Sequence, residues 1–295
     1  MRTSHSGGLP GLPGHVRATQ GESTAYGAAA VASPLAQPGP AGGPALLPSL
    51  APAAFPVVTG MEMAGRCVPG SGDVGGDWYD VFTLPSGQAC AVIGDVTGHG
   101  PAAAAIMGRI RRALRACALV TADPADLLGR LNRMMLRFEP DVTATVQCAV
   151  FDHGLGRVRI SSAGHPAPVL AFPGRPAQTA GIAADLLLGA SERGGRRARD
   201  FAFPPGASLG LYTDGLVERR GRDIDEGIAR LCAATAGPSP EAACTSVMSA
   251  MTDDVVPGDD VTLLMLRRQP AASTLGRGSR WAPAHLRIRP RPRRP

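Results

Sequence analysis

Apolar residues recur along this chain in two periods, and the change from one to the other marks out its elements. Short β-branched or alternating runs, bounded by glycine, proline or aspartate, predict strands at Met61–Val68, Trp78–Leu84, Ala89–Ile93, Thr143–Phe151 and Arg157–Ser161. The same signal recurs at Ala167–Phe172, Asp200–Phe203, Ala207–Thr213 and Val261–Leu266. Pro85-Ser86-Gly87 joins the second and third runs as a hairpin. Asp152–Gly156 joins Thr143–Phe151 to Arg157–Ser161 as another, where Val146, Cys148 and Val150 alternate with Thr145 and Gln147 as in a half-buried sheet. Gly210 interrupts an apolar strand and predicts a bulge.

The helical period predicts the remaining elements. After Gly98 and Gly100, which suit a tight turn with positive φ, Pro101 fits a first helical position. Ile106, Ile110, Leu114 and Cys117 then make one apolar stripe, with Arg109, Arg112 and Arg115 largely off it. A second helix spans Pro124–Phe138, with Asp123 as N-cap and Leu127, Leu128, Leu131, Met135 and Phe138 as its apolar face. Two more fit about Asp225–Ala234 and Ser239–Met251. Residues 181–195 are irregular, and Ala45–Val58, broken by Pro48, Pro52 and Pro56, reads as an extended arm. Many hairpins with clustered helices predict an α+β fold rather than alternating βαβ units.

Composition sets the boundaries of the folded part. The chain has 295 residues with 38 glycines and 28 prolines. The Gly/Pro/Ala-rich residues 1–44 read as a disordered leader, residues 45–268 as the folded domain, and residues 269–295 as a disordered Arg/Pro-rich tail. The net charge of +6 belongs to that tail, which holds seven arginines and no acid; residues 1–268 carry 23 arginines against 24 acids. With no interleaved aromatic apart from Trp281 and no reading module, the tail predicts no specific nucleic-acid binding. The six cysteines show no paired spacing and sit mostly in apolar runs, as free thiols do in a reducing compartment. With no signal peptide and no apolar run near membrane-spanning length, a soluble cytoplasmic protein with no membrane partner is expected.

Candidate chemistry lies in aspartates. Asp77, Asp95, Asp214 and Asp259 each stand within one residue of a glycine and next to a predicted strand, with Asp95 just beyond its strand's end. Any one alone is most simply a turn residue. Four at strand ends of one sheet system would repel each other unless a cation offset them, and oxygen-only ligands favour a hard ion such as Mg²⁺ or Mn²⁺. No Cys/His cluster has zinc spacing.

Five segments carry a resemblance: Gly75-Gly76-Asp77-Trp78-Tyr79-Asp80, Gly94-Asp95-Val96-Thr97-Gly98-His99-Gly100, Ser162-Ala163-Gly164-His165-Pro166, Tyr212-Thr213-Asp214-Gly215 and Gly258-Asp259-Asp260-Val261-Thr262. In order and spacing, over roughly residues 57–268, the chain resembles the SpoIIE/RsbU-like branch of the type 2C (PPM) metal-dependent protein phosphatases. The resemblance implies a four-layer α-β-β-α sandwich of two antiparallel sheets flanked by helices. It implies that Asp95 bridges two Mn²⁺ or Mg²⁺ ions, with the Val96 carbonyl on one and Asp77 in the same metal region. Asp214 and Asp259 would then hold the second ion, and a metal-activated water would attack phosphorus in line. The implied substrate is a phosphorylated STAS-domain anti-anti-sigma protein in partner switching.

Departures from the family pattern narrow these expectations. Thr97 stands where eukaryotic relatives carry a histidine that helps protonate the leaving group. His99 is read as satisfying backbone groups in the glycine turn, and His165 as a turn and sheet-edge anchor. Asp254 and Asp260 are candidate additional ligands, with a solvated turn residue the simpler reading of each. Such phosphatases usually follow a sensor domain, so an upstream sensor or signalling partner is expected, and members of the branch often form homodimers. The competing reading is a catalytically weak regulatory module that binds the phosphoprotein or anti-sigma partner. A third, a nucleic-acid-binding protein driven by the tail, predicts salt-sensitive DNA binding.

Overall fold

Ten strands and four helices are laid down in a computed structural model that describes residues 52, 54–70, 75–219, 221, 223–252 and 259–270. The leader, all but the first two residues of the tail, and Asp254 lie outside the described residues. In chain order the elements are β1 (Met61–Val68), β2 (Trp78–Thr83), β3 (Ala89–Val96), α1 (Gly100–Cys117), α2 (Pro124–Phe138), β4 (Ala144–Phe151) and β5 (Arg157–Ala163). There follow β6 (Val169–Ala171), β7 (Gln178–Thr179), β8 (Arg199–Ala202), β9 (Ser208–Tyr212), α3 (Ile224–Ala234), α4 (Pro240–Thr252) and β10 (Val261–Arg268).

The strands form two antiparallel sheets, β1-β10-β9-β6-β7 and β2-β3-β4-β5-β8. Alternation along the longer strands divides their side chains between two cores. Tyr79, Val81, Ala91, Ile93, Phe151 and Ile160 of the second sheet meet Leu170, Leu209, Leu211, Leu264 and Leu266 of the first in the middle of the molecule. Trp78, Val92 and Cys148 turn outward onto α1 and α2, where Met107, Ile110, Leu114, Leu127, Leu128 and Leu131 cover them. On the other side Tyr212, Leu263 and Met265 pack against α3 and α4 through Leu231, Cys244 and Val247. The α-β-β-α layering and the α+β class are as expected.

Several local expectations are changed by these layers. β4 is not half-buried but covered on both faces, by the other sheet and by α2, whereas β5 keeps Arg157 and Arg159 toward solvent at its start; Gln147 is 0% exposed and donates to the Pro166 carbonyl at 3.1 Å. Gly210 marks no bulge. Its register with Met265 on one side and Val169 on the other is continuous, and an added Cβ would lie 3.0 Å from the Met265 sulfur. The α1 stripe is centred on Ala103, Met107, Ile110 and Leu114, leaving Ile106 only part-buried. Phe138, assigned to the apolar face of α2, is the last residue of that helix and is 69% exposed. The Asp123 cap is present, its carboxylate accepting from the amides of Ala125 and Asp126.

One polar group lies deep under α1. Asp80 is fully buried, and both its oxygens are gripped by Arg111 and Arg115, the latter at 2.6 and 2.7 Å. Two forked guanidinium contacts offset the cost of taking a carboxylate out of water. They also tie α1 to the strand that follows Asp77. Of the extended arm, the described part packs Phe55 on Tyr79, ring centroids 6.0 Å apart. No helix among the described residues is long and apolar enough to cross a membrane.

Candidate metal centre

The two sheets expose their carboxylates at one common edge. Asp77 immediately precedes β2, Asp95 is the second-last residue of β3, Asp214 directly follows Thr213 at the end of β9, and Asp259 and Asp260 directly precede β10. β3 therefore runs three residues beyond its expected end, and Asp95 lies within it, paired in register with Thr145.

Glycines let these segments approach. A Cβ on Gly76 would stand 2.1 Å from the Val96 carbonyl oxygen and 3.0 Å from Asp95 Oδ1. A Cβ on Gly75 would overlap the Asp260 carboxylate, and one on Gly215 would lie 2.2 Å from the Asp260 carbonyl oxygen and 3.4 Å from Asp259 Cβ. Val96 donates its amide to the Gly76 carbonyl at 3.2 Å, so the Gly75-Gly76 turn lies across the end of β3. Gly98 and Gly100 take positive φ, +113° and +82°, and lead the chain into α1.

The electrostatics show the convergence. Asp77 is buried, and its carboxyl is held well above the usual carboxylate range, first by desolvation and then by the charge of Asp95, with Asp260 and Asp214 adding to it. Asp95 is pushed up to about 6 by burial and then by Asp214, Asp259 and Asp260. Asp214 is raised by burial and by Asp259, against the Gly215 amide that donates to it at 2.9 Å. Asp260 is raised by burial and by Asp259, although the Gly70 amide donates to it at 2.9 Å. The four aspartates singled out in the sequence are thus one cluster. Asp260 joins them as a fifth, half-buried member rather than a solvated turn residue. The signal for it was present in the Asp259-Asp260 pair, but only the folded turn brings the second carboxylate over Gly75.

Two polar side chains brace the cluster. The Thr213 hydroxyl donates to Asp77 Oδ2 at 2.6 Å and accepts the Thr262 amide at 2.9 Å. His165 is 3% exposed and lies between the sheets. Its Nε2 donates to the Tyr212 carbonyl at 3.0 Å, and its Nδ1 accepts from the Thr145 hydroxyl at 2.9 Å. Burial lowers its pKa to about 4, which keeps the ring neutral and suits this donor–acceptor pattern. It is a bridge between sheets rather than an edge anchor. His99 is exposed and makes no side-chain cap bond; its backbone, not its ring, pairs with Gly75.

The donor set suits a hard divalent cation. All candidate ligands are oxygens, and burial together with neighbouring carboxylate charge raises the proton affinity of Asp77, Asp95, Asp214 and Asp260, a cost that a bound cation would offset. Among the described residues no three His, Cys, Asp or Glu side chains form a ready-made cage. The aspartates are instead spread along the strand ends of both sheets.

The family model described as Stage II sporulation protein E (SpoIIE) matches residues 85–269. The chain belongs to the SpoIIE family. The match begins after Asp77, so the Gly-Gly-Asp turn lies upstream of it. Among solved structures, the RsbU and RsbW domains of a Mycobacterium tuberculosis protein superpose with a TM-score of 0.67 at 29% identity, covering 74% of this chain and 62% of that one. The PP2C phosphatase domain of Bacillus subtilis SpoIIE, with a fragment of its regulatory domain, gives 0.61 at 17% identity over 72% of this chain and 63% of that one. The SiaA-PP2C domain of Pseudomonas aeruginosa gives 0.59 at 21% identity over 70% and 85%. At such identities the last two speak for the fold. The SpoIIE-family chain spans a little over three fifths of the length of the first two, 62% and 63%.

Proposed function

We propose that this SpoIIE-family chain is a metal-dependent protein serine/threonine phosphatase acting on a phosphorylated STAS-domain protein in bacterial partner switching. The observation that carries the reading is the meeting of Asp77, Asp95, Asp214, Asp259 and Asp260, far apart in sequence, at one edge shared by both sheets. Asp77, Asp95 and the Val96 carbonyl would hold one ion, and Asp95, Asp214 and Asp259 a second. Bound there, Mn²⁺ or Mg²⁺ supplies Lewis acidity toward phosphoryl oxygen and toward water.

The thiol beside the cluster is not set up as a nucleophile. Cys67, the thiol that feels the charges of Asp77 and Asp260, is pushed up to about 12, chiefly by burial. A thiol so held is protonated and a poor nucleophile. Thr213 keeps Asp77 an acceptor aimed into the cluster, since its hydroxyl proton already points at that carboxylate. The partner-switching context is supported by a relative that carries an RsbW domain beside its RsbU domain. Six free cysteines suit a cytoplasmic location.

The test is phosphate release from p-nitrophenyl phosphate and from a panel of phosphorylated STAS proteins, with Mn²⁺ added or chelated. The expected result is release that needs the metal and is lost in Asp95→Asn and Asp214→Asn. Release that survives chelation, or is unchanged in those variants, overturns the mechanism. Metal-dependent release from p-nitrophenyl phosphate but from no STAS protein overturns the substrate class alone.

A further inference from the structure

Two hydrogen bonds cross between the sheets at the same three residues, Tyr212-Thr213-Asp214. The first arises where a strand stops short. β6 pairs with β9 only as far as Val169 opposite Gly210, so the Tyr212 carbonyl on that side of β9 has no strand partner. His165 Nε2 takes the missing strand's place and donates to it at 3.0 Å. The ring is itself fixed to the second sheet. Its Nδ1 accepts from Thr145, the register partner of Asp95, and its backbone carbonyl accepts from the Ser162 hydroxyl at 2.9 Å. The second crossing is the Thr213 hydroxyl, which leaves the first sheet to reach Asp77 Oδ2 at 2.6 Å.

We infer that His165 and Thr213 are positioning residues that set the gap between Asp214 on one sheet and the Asp77–Asp95 pair on the other. The chemistry of the edge makes such struts necessary. Like-charged carboxylates on facing sheet ends push the sheets apart, and hydrogen bonds that cross between the sheets there resist that push. His165 ties the backbone two residues before Asp214 to the register position of Asp95, and Thr213 ties the residue before Asp214 to Asp77. Neither side chain is a ligand in this assignment; each acts through the carboxylates it spaces. The assignment rests on the metal-dependent reading above.

Substitutions that keep one bond and lose another separate this role from simple packing. In His165→Gln the side-chain amide reaches the Nε2 position and can still donate to Tyr212. In His165→Asn the amide reaches only the Nδ1 position, so the crossing is lost while the bond to Thr145 can survive. Thr213→Ser keeps the hydroxyl, and Thr213→Val removes it at nearly equal volume. Mn²⁺ binding to the full chain is measured by calorimetry without substrate, beside the unfolding midpoint in chelator and kcat and KM for p-nitrophenyl phosphate.

Expected are a loss of Mn²⁺ affinity of about tenfold or more in His165→Asn and Thr213→Val, as for outer groups that orient metal ligands. His165→Gln and Thr213→Ser should stay near wild type, with kcat rather than KM following the affinity. Equal losses in both members of each pair, or wild-type affinity in His165→Asn and Thr213→Val, overturn the assignment while leaving the metal reading intact. A wild-type chain that binds no Mn²⁺ overturns both. Should His165→Asn fail to fold, the Thr213 pair decides by the same criteria.

Discussion

Replacing Asp95 by asparagine removes one negative charge from the sheet edge at nearly constant shape, and its effect on stability should change sign with metal. In the metal-free protein Asp95 titrates at about 6 instead of 3.8. The folded state therefore binds this proton more tightly than the unfolded chain does. Its contribution is neutral below the unfolded pKa and becomes unfavourable as pH rises through the window from about 4 to about 6. A shift from 3.8 to about 6 corresponds to about 3 kcal/mol at roughly 1.36 kcal/mol per pH unit. Solvent screening of a part-exposed carboxylate lowers the gain expected from Asp95→Asn to about 1–2 kcal/mol at pH 7.5. At pH 5 the gain falls to roughly half, because the folded wild type is then largely protonated. With Mn²⁺ at about a hundred times its dissociation constant, wild type gains about 2.7 kcal/mol that the variant forgoes, and the order reverses. Urea unfolding at both pH values, in chelator and in Mn²⁺, reads all of this. A metal-free variant no more stable than wild type at pH 7.5, or a gain that does not shrink at pH 5, would refute the reasoning.

Other perturbations probe the scaffold around the edge. Gly76→Ala places a Cβ 2.1 Å from the Val96 carbonyl oxygen, so it should cost about 1–3 kcal/mol in urea unfolding and reduce phosphate release well below its melting temperature. Removing Arg111 and Arg115 together by alanine leaves the 0%-exposed Asp80 without its guanidinium grips; a loss of about 3–5 kcal/mol is expected, part of it recovered by adding Asp80→Asn. On α2, Leu131→Ala should cost about 2–5 kcal/mol, whereas Phe138→Ser, at a site 69% exposed, should stay within about 0.5 kcal/mol by thermal unfolding.

Local chemistry made much of this protein legible in one dimension. Alternation and helical period located the helices and most strands to within a few residues because those elements bury one face or stripe, whereas the two-residue β7, exposed at both positions, left no signal. Proline and aspartate at the start of α2 and glycines before α1 act through neighbouring backbone groups, so their roles could be read from neighbours in sequence. The aspartates were likewise visible one at a time, each beside its glycine. Their meeting was expected from their shared strand-end setting and from the family resemblance, but no period links them: the charge that adds to burial in raising Asp77 comes from residues 95, 214 and 260.

Tertiary structure alone decided the rest. Whether β4 has a wet face depends on what lies over it, and both its faces are covered. Whether Gly210 bends its strand or makes room for Met265 depends on the neighbouring strand rather than on the glycine. Asp260 becomes part of the cluster, and His165 a bridge between sheets, through contacts that span 190 and 47 residues of chain respectively. A sequence determines which side chains will seek burial, a cap or a partner. Which partner is found is settled only when two sheets, assembled from distant segments, close on one another.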